Sequence, residues 1–233
     1  MSKIALLSDV HGNFSALKNV IQLLESERPD QWVCLGDIVG YGPFPGECIE
    51  LIIEKEMMVV KGNHDAGVAG ELSLKHFRNP NRRLVELTQK ELSQDHIEWL
   101  KNLPYTIEGE DWIAVHACPE NPERWEYVES AFRGRRLLND LNQKFCFLGH
   151  THRPAIISNQ LGVNNIKKGY KYIVNPGSIG QSRDGDYRAS CALIDTKNFE
   201  YKHYRVEFNQ EENLSSLMKK GFLRKEAQQL LRL

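Results

Sequence analysis

Ile4-Ala5-Leu6-Leu7-Ser8-Asp9-Val10-His11-Gly12-Asn13-Phe14 decides how this chain is read. Four apolar residues in a row predict a buried strand, Ile4 to Leu7. The strand runs into Asp9 and His11, and Asn13 then caps a helix whose apolar residues Phe14, Leu17, Ile21 and Leu24 keep helical spacing. Pro29 lies beyond the end of that helix. Trp32 to Leu35 predicts a second strand, the segment around Cys48 to Ile53 a second helix, and Met58 to Val60 a third strand. Short apolar runs alternating with helical patterns indicate a βαβ arrangement.

Farther along, Asn81 to Leu103 reads as helical, with Leu84, Leu87 and Leu92, then Ile97 and Leu100 after a cap at Ser93. Pro104 stops it. The second half turns to strands at Trp112–Val115, Phe145–Leu148, Ala155–Ser158, Tyr172–Val174, Ala189–Ile194 and Tyr201–Val206. The last twenty residues return to a helical pattern interrupted at Gly221. No repeat or flexible linker divides the chain, so residues 1–233 are expected to form one domain. Parallel strands first and β-hairpins later predict two sheets packed face to face with helices outside.

At 233 residues the chain is long enough to bury a core without disulfides. Its 41% hydrophobic and 26% charged residues exclude disorder and collagen-like sequence. Thirty Lys+Arg against 31 Asp+Glu leave a net charge of -1, which argues against nucleic acid as a stable partner. No run approaches the roughly 20 apolar residues that cross a bilayer. The short apolar start does not read as a signal peptide. The 5 cysteines form no CxxC pair and are expected to be reduced, buried thiols, so the cytoplasm is the expected compartment.

Five strand-like runs end in residues that bind metals: Asp9-Val10-His11, Gly36-Asp37, Gly62-Asn63-His64-Asp65, His116, and Gly149-His150-Thr151-His152. In open α/β sheets the loops at the carboxyl ends of strands converge on one ligand site. Imidazoles mixed with carboxylate and amide oxygens suit first-row divalent ions such as Mn²⁺, Fe²⁺ or Zn²⁺. A carboxylate such as Asp37 can bridge two ions about 3.5–4 Å apart. Two such ions, two carboxylates and a hydroxide leave roughly +1 at the site, a charge that attracts anionic oxygens and activates water.

The ordered set DVHG, GDIVGYGP, GNHD, a lone His116 after a strand, and GHTH resembles the calcineurin-like metallophosphoesterase superfamily. With NPGSIGQSRDGD, it is similar to the small prokaryotic phosphoesterase and phosphodiesterase branch. The resemblance implies a four-layer αββα sandwich, an α/β (α+β) fold. It implies one ion on Asp9, His11 and His152 and another on Asn63, His116 and His150, with Asp37 bridging. The ions expected are Mn, Fe, Zn, Ni or Co, Mn favoured. It further implies attack on phosphorus by a bridging hydroxide, with His64 as the general acid or the stabiliser of transition-state charge.

Protein phosphatases of the superfamily carry an Asp-Arg pair after their GD motif, where this chain has Gly40-Tyr41. One guanidinium for a dianionic monoester is thus missing, which favours a small-molecule phosphodiester over a phosphomonoester or phosphoprotein. Tyr41 and Arg183 are the candidate substrate-binding residues. A non-catalytic interaction protein on the same fold is a third reading, disfavoured by the presence of His64 and every expected ligand.

Asp65 reads equally as a helix cap or an electrostatic partner, and Asn63 could be a turn former beside Gly62. His76, His96 and His203 are expected to face solvent or pack. Asn175-Pro176-Gly177-Ser178 lacks the G-x-S-x-G pattern and is expected to be a tight turn near the metals. Phe222, Leu223, Leu230 and Leu231 are expected to pack, with a homodimer contact as the alternative.

Overall fold

Successive side chains of a strand point to opposite faces, and in Ile4-Ala5-Leu6-Leu7 both faces are apolar. The computed structural model, which describes residues 2–233, shows where each face goes. β1 (Lys3–Leu7) places Ile4 and Leu6 in one apolar cluster and Ala5 and Leu7 in another. It pairs in parallel with β2 (Gln31–Cys34), and β2 pairs in parallel with β3 (Met58–Val59). The crossovers are α1 (Phe14–Ser26) and α2 (Pro45–Glu54). Asn13 caps α1 by accepting the Ala16 N–H at 3.1 Å. Pro45 opens α2, where a missing N–H costs no helical bond.

After β3 come three helices: α3 (Asn63–Val68), α4 (Asn81–Glu91) and α5 (Gln94–Lys101). Ser93 caps α5 by accepting the His96 N–H at 3.2 Å. The second sheet follows. It is built from β4 (Thr106–Glu108), β5 (Trp112–Val115), β6 (Phe145–Phe147), β7 (Ala155–Ser158) and β8 (Tyr172–Asn175), in the order β4-β5-β6-β8-β7. Helix α6 (Ala131–Asp140) connects β5 to β6. The hairpin β9 (Ala189–Asp195) and β10 (Glu200–Val206) then returns to the first sheet, whose order is β10-β9-β1-β2-β3.

Two five-stranded mixed sheets therefore pack face to face. Ile4, Leu6, Val33 and Leu35 of the first meet Trp112, Phe145, Phe147 and Tyr172 of the second in one cluster. α1 and α2 cover the outer face of the first sheet through Leu17, Leu24, Ile49 and Ile52. Leu137 and Leu138 of α6 cover Ile113, Cys146 and Ile173 on the outer face of the second. This is the αββα layering expected.

The topology corrects the reading of the second half. β5, β6 and β8 are parallel to one another, and the β9–β10 hairpin belongs to the first sheet. α6 escaped notice because its face toward the sheet is narrow, with only Gly134, Leu137 and Leu138 buried in an otherwise polar, arginine-rich segment. α3 and β4 were also missed, being six and three residues long.

At the C-terminus, α7 (Gln210–Lys219) and α8 (Arg224–Leu231) pack on α4. Leu214, Leu217, Phe222, Ala227 and Leu230 form a cluster with Leu84. Phe222 and Leu230 are buried there and Leu231 packs against it, which leaves Leu223 exposed. All five cysteines are buried and free. His96 faces Glu50 at 3.6 Å and His203 lies 2.7 Å from the Ser190 hydroxyl, so both have partners the sequence did not show. No helix among the described residues is long and apolar enough to cross a membrane.

Leu6 is wholly buried between the sheets, whereas Leu161 is 77% exposed. Leu6→Ala is expected to lower unfolding free energy by about 2–5 kcal/mol in urea titrations. Leu161→Ala is expected to change it by less than about 0.5 kcal/mol.

Candidate metal centre

The strands of both sheets deliver their ligand-type residues to one place by turning sharply as they end. Asp9, His11, Asp37, His150 and His152 all have φ between 49° and 62°, in the left-handed region. That region is uncommon for residues with a side chain and costs about 1–2 kcal/mol each. Ladder bonds continue past the strands to enforce these turns: Asp9 N–H donates to Gly36 (3.0 Å), His11 N–H to Asp37 (2.9 Å), and Gly149 N–H to His116 (2.9 Å). The Asn175–Ser178 segment is a turn that braces two of the loops. Ser178 Oγ donates to the Asp9 carbonyl at 2.9 Å, and Asn175 Nδ2 donates to the Gly149 carbonyl at 2.8 Å.

Two sets of side chains result. Asp9, His11, Asp37 and His152 bring donor atoms within 4.8 Å of one another, and so do Asp37, His116 and His150. Asp37 belongs to both. All six are buried.

Each carboxylate is anchored by one oxygen and offers the other. Asp9 Oδ2 accepts from Ser8 Oγ (2.5 Å) and the His150 N–H (3.1 Å), while Oδ1 has no hydrogen-bond partner and lies 3.1 Å from His152 Nε2. Asp37 Oδ1 accepts the His64 N–H at 2.8 Å. Its Oδ2 stands between the two sets, 3.7 Å from His11 Nε2 and 3.3 Å from His116 Nε2.

The histidines are oriented likewise. Nδ1 of His11, His116 and His152 each donates to a backbone carbonyl, of Val39 (3.0 Å), Leu35 (2.6 Å) and Gln181 (2.5 Å). A carbonyl only accepts, so Nδ1 carries the proton and a neutral ring presents a bare Nε2 lone pair. His11 Nε2 and His152 Nε2 then face each other at 3.1 Å. Two lone pairs at that distance repel unless a cation lies between them. Two nitrogens on one divalent ion at about 2.0–2.1 Å would stand roughly 3 Å apart. The donor set thus fits a divalent cation.

Electrostatics agree. Burial opposes charge on Asp9 and Asp37, yet the facing histidines hold both below the usual carboxylate range. Burial pushes His64 down to about 4 and His150 down to about 3, so both are neutral. Burial also opposes charge on His116, but Asp37 beside it raises it to about 9, so with no ion at Nε2 this ring takes a second proton, one that a bound cation would replace. Two anions held together in the interior require positive charge among them.

The remaining residues surround this cluster. Asn63 Oδ1 is buried without a partner and lines a cleft of about 890 Å³ together with Asp37, His64 and His150. His64 packs against Tyr41 (4.6 Å between ring centroids) and Phe77 (5.1 Å), and its Nδ1 also lacks a partner. Gly40, at φ +92, lies directly beneath it: a Cβ there would stand 2.1 Å from His64 Nδ1. Among the described residues no carboxylate bonds the His64 ring, which is seated by packing instead. Tyr41 and Arg183 both line the cleft, and Arg183 Nη2 donates to Tyr41 Oη at 3.4 Å.

Sequence reading missed the cleft's other walls. Trp125 and Tyr127, near a short 3-10 turn, face the histidines, with Tyr127 stacked on His150 at 4.0 Å. His76 also lines the cleft rather than only meeting solvent. Asp65 is more than a cap. Its carboxylate accepts the N–H groups of Gly62 (2.9 Å), Asp37 (2.8 Å), Ile38 (2.9 Å) and Val39 (3.3 Å). Burial and the Asp37 charge raise it to about 7, against those donors. Asp65→Ala would strand four N–H groups and is expected to cost about 3 kcal/mol or more in urea unfolding.

A family model described as the calcineurin-like phosphoesterase superfamily domain matches residues 2–199. An uncharacterized protein of Methanocaldococcus jannaschii is 36% identical over 94% of this chain and 93% of its own length. The crystal structure of a metallophosphoesterase from Sphaerobacter thermophilus is 34% identical, covers 98% of both chains and superposes with a TM-score of 0.83. A symmetrical bis(5'-nucleosyl)-tetraphosphatase of Hamiltonella defensa is 23% identical over 65% of this chain and 59% of its own. With its buried Asp and His groups at the strand ends, the chain belongs to the calcineurin-like phosphoesterase superfamily.

Proposed function

We propose that this protein hydrolyses phosphodiester bonds of a small-molecule substrate with two divalent ions bound, Mn²⁺ favoured. The cytoplasm is the compartment proposed, on the sequence grounds given above. The observation that carries the reading is the placement of Asp37 Oδ2 between two sets of histidine nitrogens, at the base of a cleft open to small molecules. Asp9, His11 and His152 would hold one ion, and Asn63, His116 and His150 the other, with Asp37 shared. When bound, the ions would supply an activated water and neutralise phosphoryl charge.

The chain's own residues would then act as follows. The Nδ1–carbonyl bonds and the anchored carboxylate oxygens keep the ligands in place without rearrangement, so the site is preorganised. His64, on the cleft wall beside Asn63, would hold or donate a proton to the leaving oxygen. Tyr41, packed beside His64, and Arg183 would hold a nonbridging phosphoryl oxygen. Phosphomonoesters are the second reading. Arg183 reaches the cleft from another loop and supplies a guanidinium that the Gly40-Tyr41 sequence lacks.

Turnover of bis(4-nitrophenyl) phosphate is expected to cease after chelation and to return with added Mn²⁺. Metal analysis is expected to find two ions per chain, and Asp37→Asn to lose metal. Turnover unaffected by chelation would refute the reading. His64→Ala is expected to lower kcat by about 10²–10⁴-fold with metal content retained, in steady-state assays. Comparing kcat/KM for that diester and 4-nitrophenyl phosphate separates diester from monoester preference.

A further inference from the structure

Three guanidinium groups and one acid, Glu129, wall a cavity beside the metal centre. The cleft adjoins a second cavity of about 400 Å³, and Tyr127, Arg183 and Arg232 wall both. Arg153 lines the second cavity. Arg133, Arg188 and Arg205, by contrast, sit on the carboxylates of Glu126, Asp186 and Asp184. Among the described residues, Arg153, Arg183 and Arg232 have no carboxylate oxygen within 4.0 Å. Their contacts are to neutral oxygens. Arg183 Nη2 donates to Gln181 Oε1 (3.3 Å) and Tyr41 Oη, and Arg153 Nε donates to the Arg183 carbonyl (2.9 Å).

Like charges so placed repel one another. Partial burial and the positive charges of Arg183 and Arg153 push Arg232 below its ordinary value. The fold nevertheless holds the group together. Arg232 ends α8 at φ +56, and the buried Leu230 anchors that helix in the C-terminal apolar cluster. The Gln181 side-chain amide donates to the Leu230 carbonyl, while its oxygen accepts from Arg183. One side chain thus ties the end of α8 to the Arg183 loop. This helix lies beyond residue 199, outside the matched family domain.

From these observations we infer that Arg153, Arg183 and Arg232 form a second anion subsite, so that the substrate carries a further phosphoryl group beyond the reacting one. This rests on the phosphoester reading for the reacting group and on the guanidinium cluster for the second. Planar guanidinium groups match phosphate oxygens in pairs, which suits such a site. The substrate class is an oligophosphate, either free or attached to a nucleoside.

The test is calorimetric titration of the Mn²⁺-loaded protein, at buffered free Mn²⁺, with methylphosphonate and with methylenediphosphonate. The diphosphonate is expected to bind about tenfold or more tightly, the worth of one charge-assisted hydrogen bond. Arg153→Met and Arg232→Met are each expected to remove most of that advantage, and Arg28→Met, between α1 and β2 at the other end of the strands, to retain it. Equal binding of the two probes by wild type overturns the subsite, as does an advantage undiminished in both variants. Adenosine 5'-(α,β-methylene)diphosphate assigns the source: tighter binding than methylenediphosphonate supports a nucleoside oligophosphate, and no tightening supports the free form. Binding is read without turnover, so failure to hydrolyse aryl phosphates would overturn the proposed function while leaving this measurement to judge the subsite.

Discussion

Asp9 and Asp37 are two ionised carboxylates buried within a few ångströms of the same imidazole, that of His11, and most of the site's construction follows from keeping them there. A charge removed from water costs several kcal/mol unless it is paired and hydrogen-bonded. Here each carboxylate spends one oxygen on N–H or O–H donors and turns the other toward histidine nitrogens. The histidines in turn are locked by backbone carbonyls. The positive charge that balances the cluster is what a divalent ion provides.

The backbone bears the cost of this arrangement. Gathering ligands from the ends of β1, β2 and β6 requires left-handed turns at residues with side chains, and the two packed sheets over-determine them. Strain of this kind persists where surrounding structure is rigid. Asp65 contributes most directly: by accepting N–H groups from the loops after β2 and β3, it fixes Asp37 and the start of α3 relative to each other. Gly62 is needed at that junction, since a Cβ there would stand 2.1 Å from Asp37 Oδ1.

The C-terminal helices supply part of the cleft wall over this rigid centre. Their apolar side chains are spent on α4 rather than left for solvent, and the packing brings Gln229, Leu230 and Arg232 onto the cleft wall. The aromatic wall opposite, Trp125 and Tyr127, comes from the irregular segment between β5 and α6. Neither wall belongs to the strand-end motifs.

Read alone, the sequence shows the layers and names candidate ligand residues. Apolar runs marked most strands, helical spacing marked α1, α4 and α5, and a metal-binding residue stood at the end of each of five runs. These signals are local, because strand alternation and capping depend on near neighbours. The tertiary structure alone decided the rest. The parallel core of the second sheet and the return of β9–β10 to the first depend on pairing between distant residues. α6 buries too few apolar side chains to announce itself. Asp65 acquires its role only when two loops meet, and Arg232 reaches Arg183 only because α8 folds back across the cleft. Contacts such as these join residues far apart in the chain, and nothing in their local sequence encodes the partner.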